Sequence, residues 1–425
     1  MSKNQSEVSV PANKKASVKW HVLIGGFISY ALDAMDFMLL ALALPAIIKE
    51  WNMPLDQAGL LGTATLIGVG LSSLILGWFS DHYGRRKALL VSVSFFGLFT
   101  GAIALAQNWE QLMILRFLAG LGLGGVFGVV SAFINETWPK TQKGRATSFV
   151  LSAWPIGYGL AAFLSAIILP TYGWRPLFAT GLAAFLGVIY IYFFIPESEA
   201  WKEYKATKAL DKKSSSLSLK ELFSDKLARI TIWGTLVCFC SLTAYWGINT
   251  WLPTYLLKER GLDAARMGMF LVMINIGMFI GYQVFGYIAD KIGKRKALVI
   301  SFIGSATMIP IYIVIKDVTL LFWFGPFLFF FASFVGIFGS YFTDLYPIHL
   351  RSMGSNFCFG IGRGLSAFAP FVLGQIAVNY SLGTGFGVCA ITFIIAAVLM
   401  LFLPETKQEE QALTDLSSTQ ANTAN

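Results

Sequence analysis

The sequence predicts an all-α integral membrane protein: twelve transmembrane helices arranged as two six-helix bundles. Three observations carry that expectation. Of 425 residues, 56% are hydrophobic and only 13% are charged, about half the roughly 25% of a soluble domain. The apolar residues fall in runs of about 20, enough to cross a hydrocarbon core as helices, not in the short alternating segments of a membrane barrel. Finally, sequence motifs of the first half return in the second at a near-constant spacing, which marks an internal repeat.

The elements follow in order. Residues 1–20 are polar, with no small-residue cleavage site, and read as a cytoplasmic tail leading into a retained first span. Apolar runs place spans near 21–47, 56–80, 87–107, 110–135, 145–168 and 174–195, the N-terminal bundle of residues 21–195. Residues 196–228, rich in Lys and Ser, read as a cytoplasmic linker. Six further runs, near 229–256, 266–289, 296–316, 319–343, 353–378 and 383–403, make the C-terminal bundle of residues 229–403, followed by a cytoplasmic tail, 404–425. Lys and Arg crowd the segments on one side of these spans, 24 against six on the other. That bias puts both termini in the cytoplasm of a cytoplasmic (inner) membrane.

The net charge of +9 is spread over these loops and not gathered on one face, so it fits membrane topology and not nucleic acid. The four cysteines fall inside spans, and Cys238 and Cys240 are spaced neither for zinc nor for a redox pair. With histidine only at 21, 82 and 349, there is no metal-ligand cluster and no nucleophile–base set. No metal, no cofactor and no enzymatic activity are expected, and the chain is expected to act as a monomer in the lipid bilayer.

The repeat is carried by GWFSDHYGRRKAL (77–89) and GYIADKIGKRKAL (286–298), by ETWPKTQKGRATS (136–148) and DLYPIHLRSMGSN (344–356), and by IPESE (195–199) and LPETK (403–407). Gly84 and Gly293 permit tight turns at the membrane face. Asp81 and Asp290 end a helix beside clustered cations, where charged pairs can hold bundles together and release them. The same cations could equally serve as topology anchors.

Gly77, Asp81, Gly84, Arg85, Arg86 and Lys87, with their copy at Gly286, Asp290, Gly293, Lys294, Arg295 and Lys296, resemble the signature of the major facilitator superfamily. Arg116 with the following FLAGLGLGG resembles its fourth-helix pattern. The resemblance implies the major facilitator fold and a gating role for Gly77, Asp81, Gly84, Arg85, Arg86, Asp290, Gly293 and Arg295. DAMDF in the first span, with Arg116 and an eleventh-span arginine, is similar to the carboxylate:proton symporters, the aromatic-acid and sialate branches and permeases of the cis,cis-muconate type. It differs from the aromatic-acid pattern in having Ala34 and Met35 where a glycine usually stands between the aspartates.

Four ionisable residues lie well inside a span: Asp33, Asp36, Arg116 and Arg363. Intramembrane charges are costly and mark functional sites. Asp33 and Asp36, three apart, point to nearly the same side of a helix and cannot readily both be charged in low dielectric. Either is a candidate proton carrier, or a fixed partner of Arg116. Arg363 stands about ten residues into its span, with no acidic residue in the middle of any second-half helix. A substrate carboxylate would satisfy it bidentately; pairing across the bundles with an aspartate is the alternative. Aromatic and amide side chains that could shape the cavity are Trp154, Tyr158, Tyr245, Asn249, Asn275, Gln283 and Tyr341.

Together these features predict a secondary transporter that imports a small organic carboxylate (an aromatic acid, muconate or similar mono- or dicarboxylate) with protons by alternating access. Asp33, Asp36 and Arg116 would couple the proton and Arg363 would bind the anion. The alternative is a proton-coupled exporter of a drug or metabolite on the same fold.

Overall fold

The computed structural model describes residues 12–139, 143–208, 219–346 and 351–405. Among them there is no strand, and twelve helices are long and apolar enough to span a membrane. They are α1 (Val18–Trp51), α2 (Leu55–Ser80), α3 (Arg85–Leu105), α4 (Trp109–Ile134), α5 (Phe149–Tyr172), α6 (Trp174–Phe194), α7 (Leu227–Lys258), α8 (Ala264–Ile292), α9 (Lys294–Val314), α10 (Val318–Phe342), α11 (Phe357–Asn379) and α12 (Leu382–Met400). The first helix is continuous back to Ala12, so part of the expected polar tail is helical. Lys14, Lys15 and Lys19 make that turn too polar for hydropathy to register, but they do not break a helix. Within the expected linker, Glu199–Lys208 is a short helix and Leu219–Phe223 a 3-10 turn.

Polar punctuation sets the ends. On one face the starts of α4, α8, α10 and α12 are capped by Asn108, Asp263, Asp317 and Ser381, each side chain accepting a backbone N–H three residues on. On the other face, α2–α3 and α8–α9 turn on Gly84 (φ 108°) and Gly293 (φ 103°), conformations that β-carbons disfavour. The latter is called the motif face below.

The packing repeats as the sequence does. In the first half α1 packs on α5, α2 on α4, and α3 on α4 and α6; in the second, α7 packs on α11, α8 on α10, and α9 on α10 and α12. The glycine run of α4 permits close approach: a β-carbon at Gly120 or Gly124 would strike the α2 backbone at Thr65 or Val69, and one at Gly122 would strike Phe96 of α3. Exposed apolar side chains such as Leu98, Leu186, Phe193, Ile303 and Ile394 lie on α3, α6, α9 and α12, the surface a bilayer would cover.

The halves meet through α1 with α7, α2 with α11, and α5 with α8. Away from the motif face this seam is tight. A β-carbon at Gly59 would lie 2.5 Å from Pro370 O, one at Gly374 2.5 Å from Leu55 O, and one at Gly268 2.7 Å from Ala162 O. There Gln375 Nε2 donates to Asp56 Oδ2 across the seam at 3.1 Å. Toward the motif face, Gly77 and Gly286 have nothing within 4 Å of where a β-carbon would stand.

Candidate functional site

The two aspartates of α1 go to different neighbours. Three residues advance a helix by about 300°, so the side chains diverge by about 60°, enough to separate them. Asp36 stays inside the first half. Thr100 Oγ1 of α3 donates to its Oδ1 at 2.7 Å, and Arg116 of α4 pairs with the same oxygen at 3.5 Å and reaches the Asp36 carbonyl at 3.4 Å. The Arg116 guanidinium is fully buried and lies over the Phe178 ring of α6 at 4.7 Å. Of the two partners that sequence left open for Arg116, the structure therefore selects Asp36.

Asp33 faces the seam. It is 3% exposed, its Oδ1 has no hydrogen-bond partner among the described residues, and the cation acting on it is Arg363 of α11. Arg363 carries its guanidinium carbon 5.9 Å from the Phe37 ring centroid and 5.4 Å from that of Trp246. Its Nε is sealed from solvent and has no hydrogen-bond partner among the described residues. Around this pair the halves touch through rings. Phe37 and Trp246 have centroids 4.4 Å apart, Trp154 meets Trp246 edge-on at 5.9 Å, and Trp154 Nε1 donates to Tyr245 Oη at 3.0 Å.

The remaining expected cavity residues divide. Asn249 and Asn275 each donate the side-chain amide to a carbonyl one turn back, Tyr245 and Leu271, and each leaves a buried, unpaired Oδ1. Tyr158 is buried on α5 with its hydroxyl unpartnered. Gln283 is exposed, on the stripe of α8 that carries Ile276, Ile280 and Tyr287. The inward position on that turn belongs to Tyr282, which lies near Tyr30 and Tyr245. Tyr341 lies at the motif-face end of α10, donating to the Pro404 carbonyl at 2.7 Å, and so belongs with the loops and not with the seam. Sequence reasoning overlooked Tyr30, Phe37, Thr100 and Tyr282. The signal for two of them was present: Tyr30 and Phe37 stand one turn to either side of Asp33.

At the motif face the third repeated motif completes the first. Glu197 Oε1, from IPESE, accepts the backbone N–H groups of Arg85 at 2.7 Å and Arg86 at 3.0 Å. Glu405, from LPETK, accepts those of Arg295 and Lys296 at 3.2 and 3.3 Å. A carboxylate on a helix N-terminus meets both free N–H groups and the positive end of the dipole. The Arg85 side chain grips Glu136 at 2.9 Å and Ser80 Oγ at 3.1 Å; in the second half Lys294 grips Asp344. Arg86 binds the Tyr192 carbonyl at 2.5 Å, and Arg295 that of Leu403 at 2.9 Å. These contacts tie elements within one half, so they brace each bundle and do not join the two. Asp290 is exposed at the α8 terminus, and the Asp81 side chain lies outside the described residues.

Two similar helical halves, with opposed charges and facing rings buried along their seam, are the architecture of a membrane transport protein and not of an enzyme. The chain belongs to the Major Facilitator Superfamily, whose model matches residues 26–359 and 275–423. A putative metabolite transport protein of Haemophilus influenzae is 32% identical, over 93% of this chain and 98% of its own length. A cis,cis-muconate transport protein of Acinetobacter baylyi is 29% identical, over 91% and 94%, and the sialic acid transporter NanX of Escherichia coli 28%, over 89% and 92%. Among solved structures, the inward open conformation of the xylose transporter XylE from E. coli matches in fold, with a TM-score of 0.75 and 18% identity, covering 93% of this chain and 99% of that one.

Proposed function

We propose that this transporter imports a small organic carboxylate, an aromatic acid or muconate-like mono- or dicarboxylate, together with protons across the cytoplasmic membrane, as a monomer with both termini inside. The observation that carries the reading is Arg363: an intramembrane guanidinium at the seam, with an unpartnered Nε and ring faces where an anion would otherwise stand. Guanidinium binds carboxylate through two parallel N–H donors, and relatives named for muconate and sialic acid transport carry acidic substrates. Asp33, across the seam from Arg363, is the coupling carboxylate in this scheme. When protonated it leaves Arg363 free for the substrate; when ionised it competes for the same cation. Asp36, already engaged by Thr100 and Arg116, holds the first half together. The halves then rock about the site, and the motif-face loops brace each bundle as it moves. Arg363→Ala in proteoliposomes should lower carboxylate uptake at least a hundredfold while the purified protein melts within a few degrees of wild type. Wild-type uptake by that variant would refute the anchor.

A further inference from the structure

Among the described residues, Phe37 and Trp246 meet ring to ring across the seam beside Arg363, one contributed by each half. Their centroids are 4.4 Å apart with planes inclined by 36°, and the Arg363 guanidinium lies over both, 5.9 Å from the Phe37 centroid and 5.4 Å from that of Trp246. A carboxylate held by Arg363 would start beside both rings, and the group attached to it would extend between them once they part. We propose that Phe37 and Trp246 are stacking plates that select flat, conjugated carboxylates over puckered ones of the same size and charge.

The second plate is held in place. Trp246 is braced edge-on by Tyr245 at 5.1 Å and by Trp154 at 5.9 Å, and these two are themselves tied by the hydrogen bond between them. Its indole Nε1–H is buried without an acceptor among the described residues. An orphaned buried donor is costly, and here it is available to the carboxylate that Arg363 anchors. Space also matters. Carbon atoms in contact stand about 3.5–4.0 Å apart, so a flat guest between two plates needs about 7–8 Å. The Phe37 and Trp246 centroids stand only 4.4 Å apart. A guest must therefore separate Phe37 on α1 from Trp246 on α7. Admission of the substrate and parting of the halves at the site become one movement. A puckered ring is thicker, offers no π face, and gains less for a larger displacement.

This inference rests on the carboxylate reading above, and one experiment separates the two. Calorimetric binding of benzoate and of cyclohexanecarboxylate to the purified full chain compares acids of equal charge and ring size. Wild type should favour benzoate about tenfold, the gain expected from aromatic contact on two faces. Phe37→Leu and Trp246→Leu should each bring the ratio within about twofold, whereas Trp246→Phe, which keeps a plate and removes the N–H, should weaken both acids and preserve the ratio. Equal binding of the two acids by wild type, lost in Arg363→Ala, would overturn the plates and leave the carboxylate reading standing. An unchanged ratio in leucine variants that melt like wild type would overturn the plates too. Binding of neither acid would overturn both.

Discussion

Asp33 and Asp36 stand one helical turn apart on the same helix, are equally hidden from solvent, and meet different neighbours. Asp36 is enclosed by one half, with a threonine donor and an arginine committed to it. Asp33 looks across the seam to an arginine on the other half; each carboxylate keeps one buried oxygen without a hydrogen-bond partner among the described residues. A charge whose partners all move with it stabilises a rigid body. A charge whose partner lies on the other body responds to how the bodies sit. That contrast is the ground on which a structural role is proposed for the first carboxylate and a transport role for the second.

The largest expected effect breaks the enclosed pair. Arg116→Leu leaves Asp36 buried beside an uncompensated site, and removing one partner of a buried pair costs about 3–5 kcal/mol. Denaturation of the purified protein should show that loss, and Asp36→Asn in the same background should recover part of it. If Arg116→Leu melts like wild type, Asp36 is not held by the pair.

A middle effect compares the two carboxylate clamps of the motif face. Glu197 is closer to its N–H donors than Glu405. Hydrogen bonds to charged groups contribute about 1.5–3 kcal/mol, so Glu197→Gln should cost more than Glu405→Gln, each within that range or below. Equal melting of the two variants would show that the halves are braced alike. The smallest effect is at the far face. Gln375→Ala removes one cross-seam hydrogen bond worth about 1 kcal/mol. It should leave melting nearly unchanged while raising the labelling of a cysteine placed at Gly62. Unaltered labelling would mean that the bond does not hold that face closed.

Much of the fold was legible because a membrane helix is a local property: run length alone reports a span, and repeated motifs report the two halves. The orientation of side chains within a span was harder to read. In a bilayer the lipid-facing side is as apolar as the core, so periodicity carries little contrast. Hence Gln283 was expected inside and is exposed, while its neighbour Tyr282 turns inward. Tyr341 was placed in the cavity because it is aromatic, but it stands in the last turn of α10, beside Pro404. The charges were legible because nothing but function or pairing explains a buried ion. Which aspartate meets which arginine was not, because a 60° divergence matters only once the neighbours are in place. Gly77 and Gly286, identified by motif, meet nothing close by, and so their want of a side chain is not used in this arrangement of the halves.

The central claim is the division of labour between the two aspartates. Its most direct measurement is benzoate movement in proteoliposomes holding Asp33→Asn or Asp36→Asn, driven either by an imposed pH gradient or by exchange against internal benzoate. Asparagine at 36 still accepts from Thr100 and Arg116, so that variant should respond to the gradient like wild type, with a lower melting temperature. Asp33→Asn should exchange substrate yet lose the response to the gradient. Gradient-driven uptake that survives in Asp33→Asn and vanishes in Asp36→Asn would contradict the account.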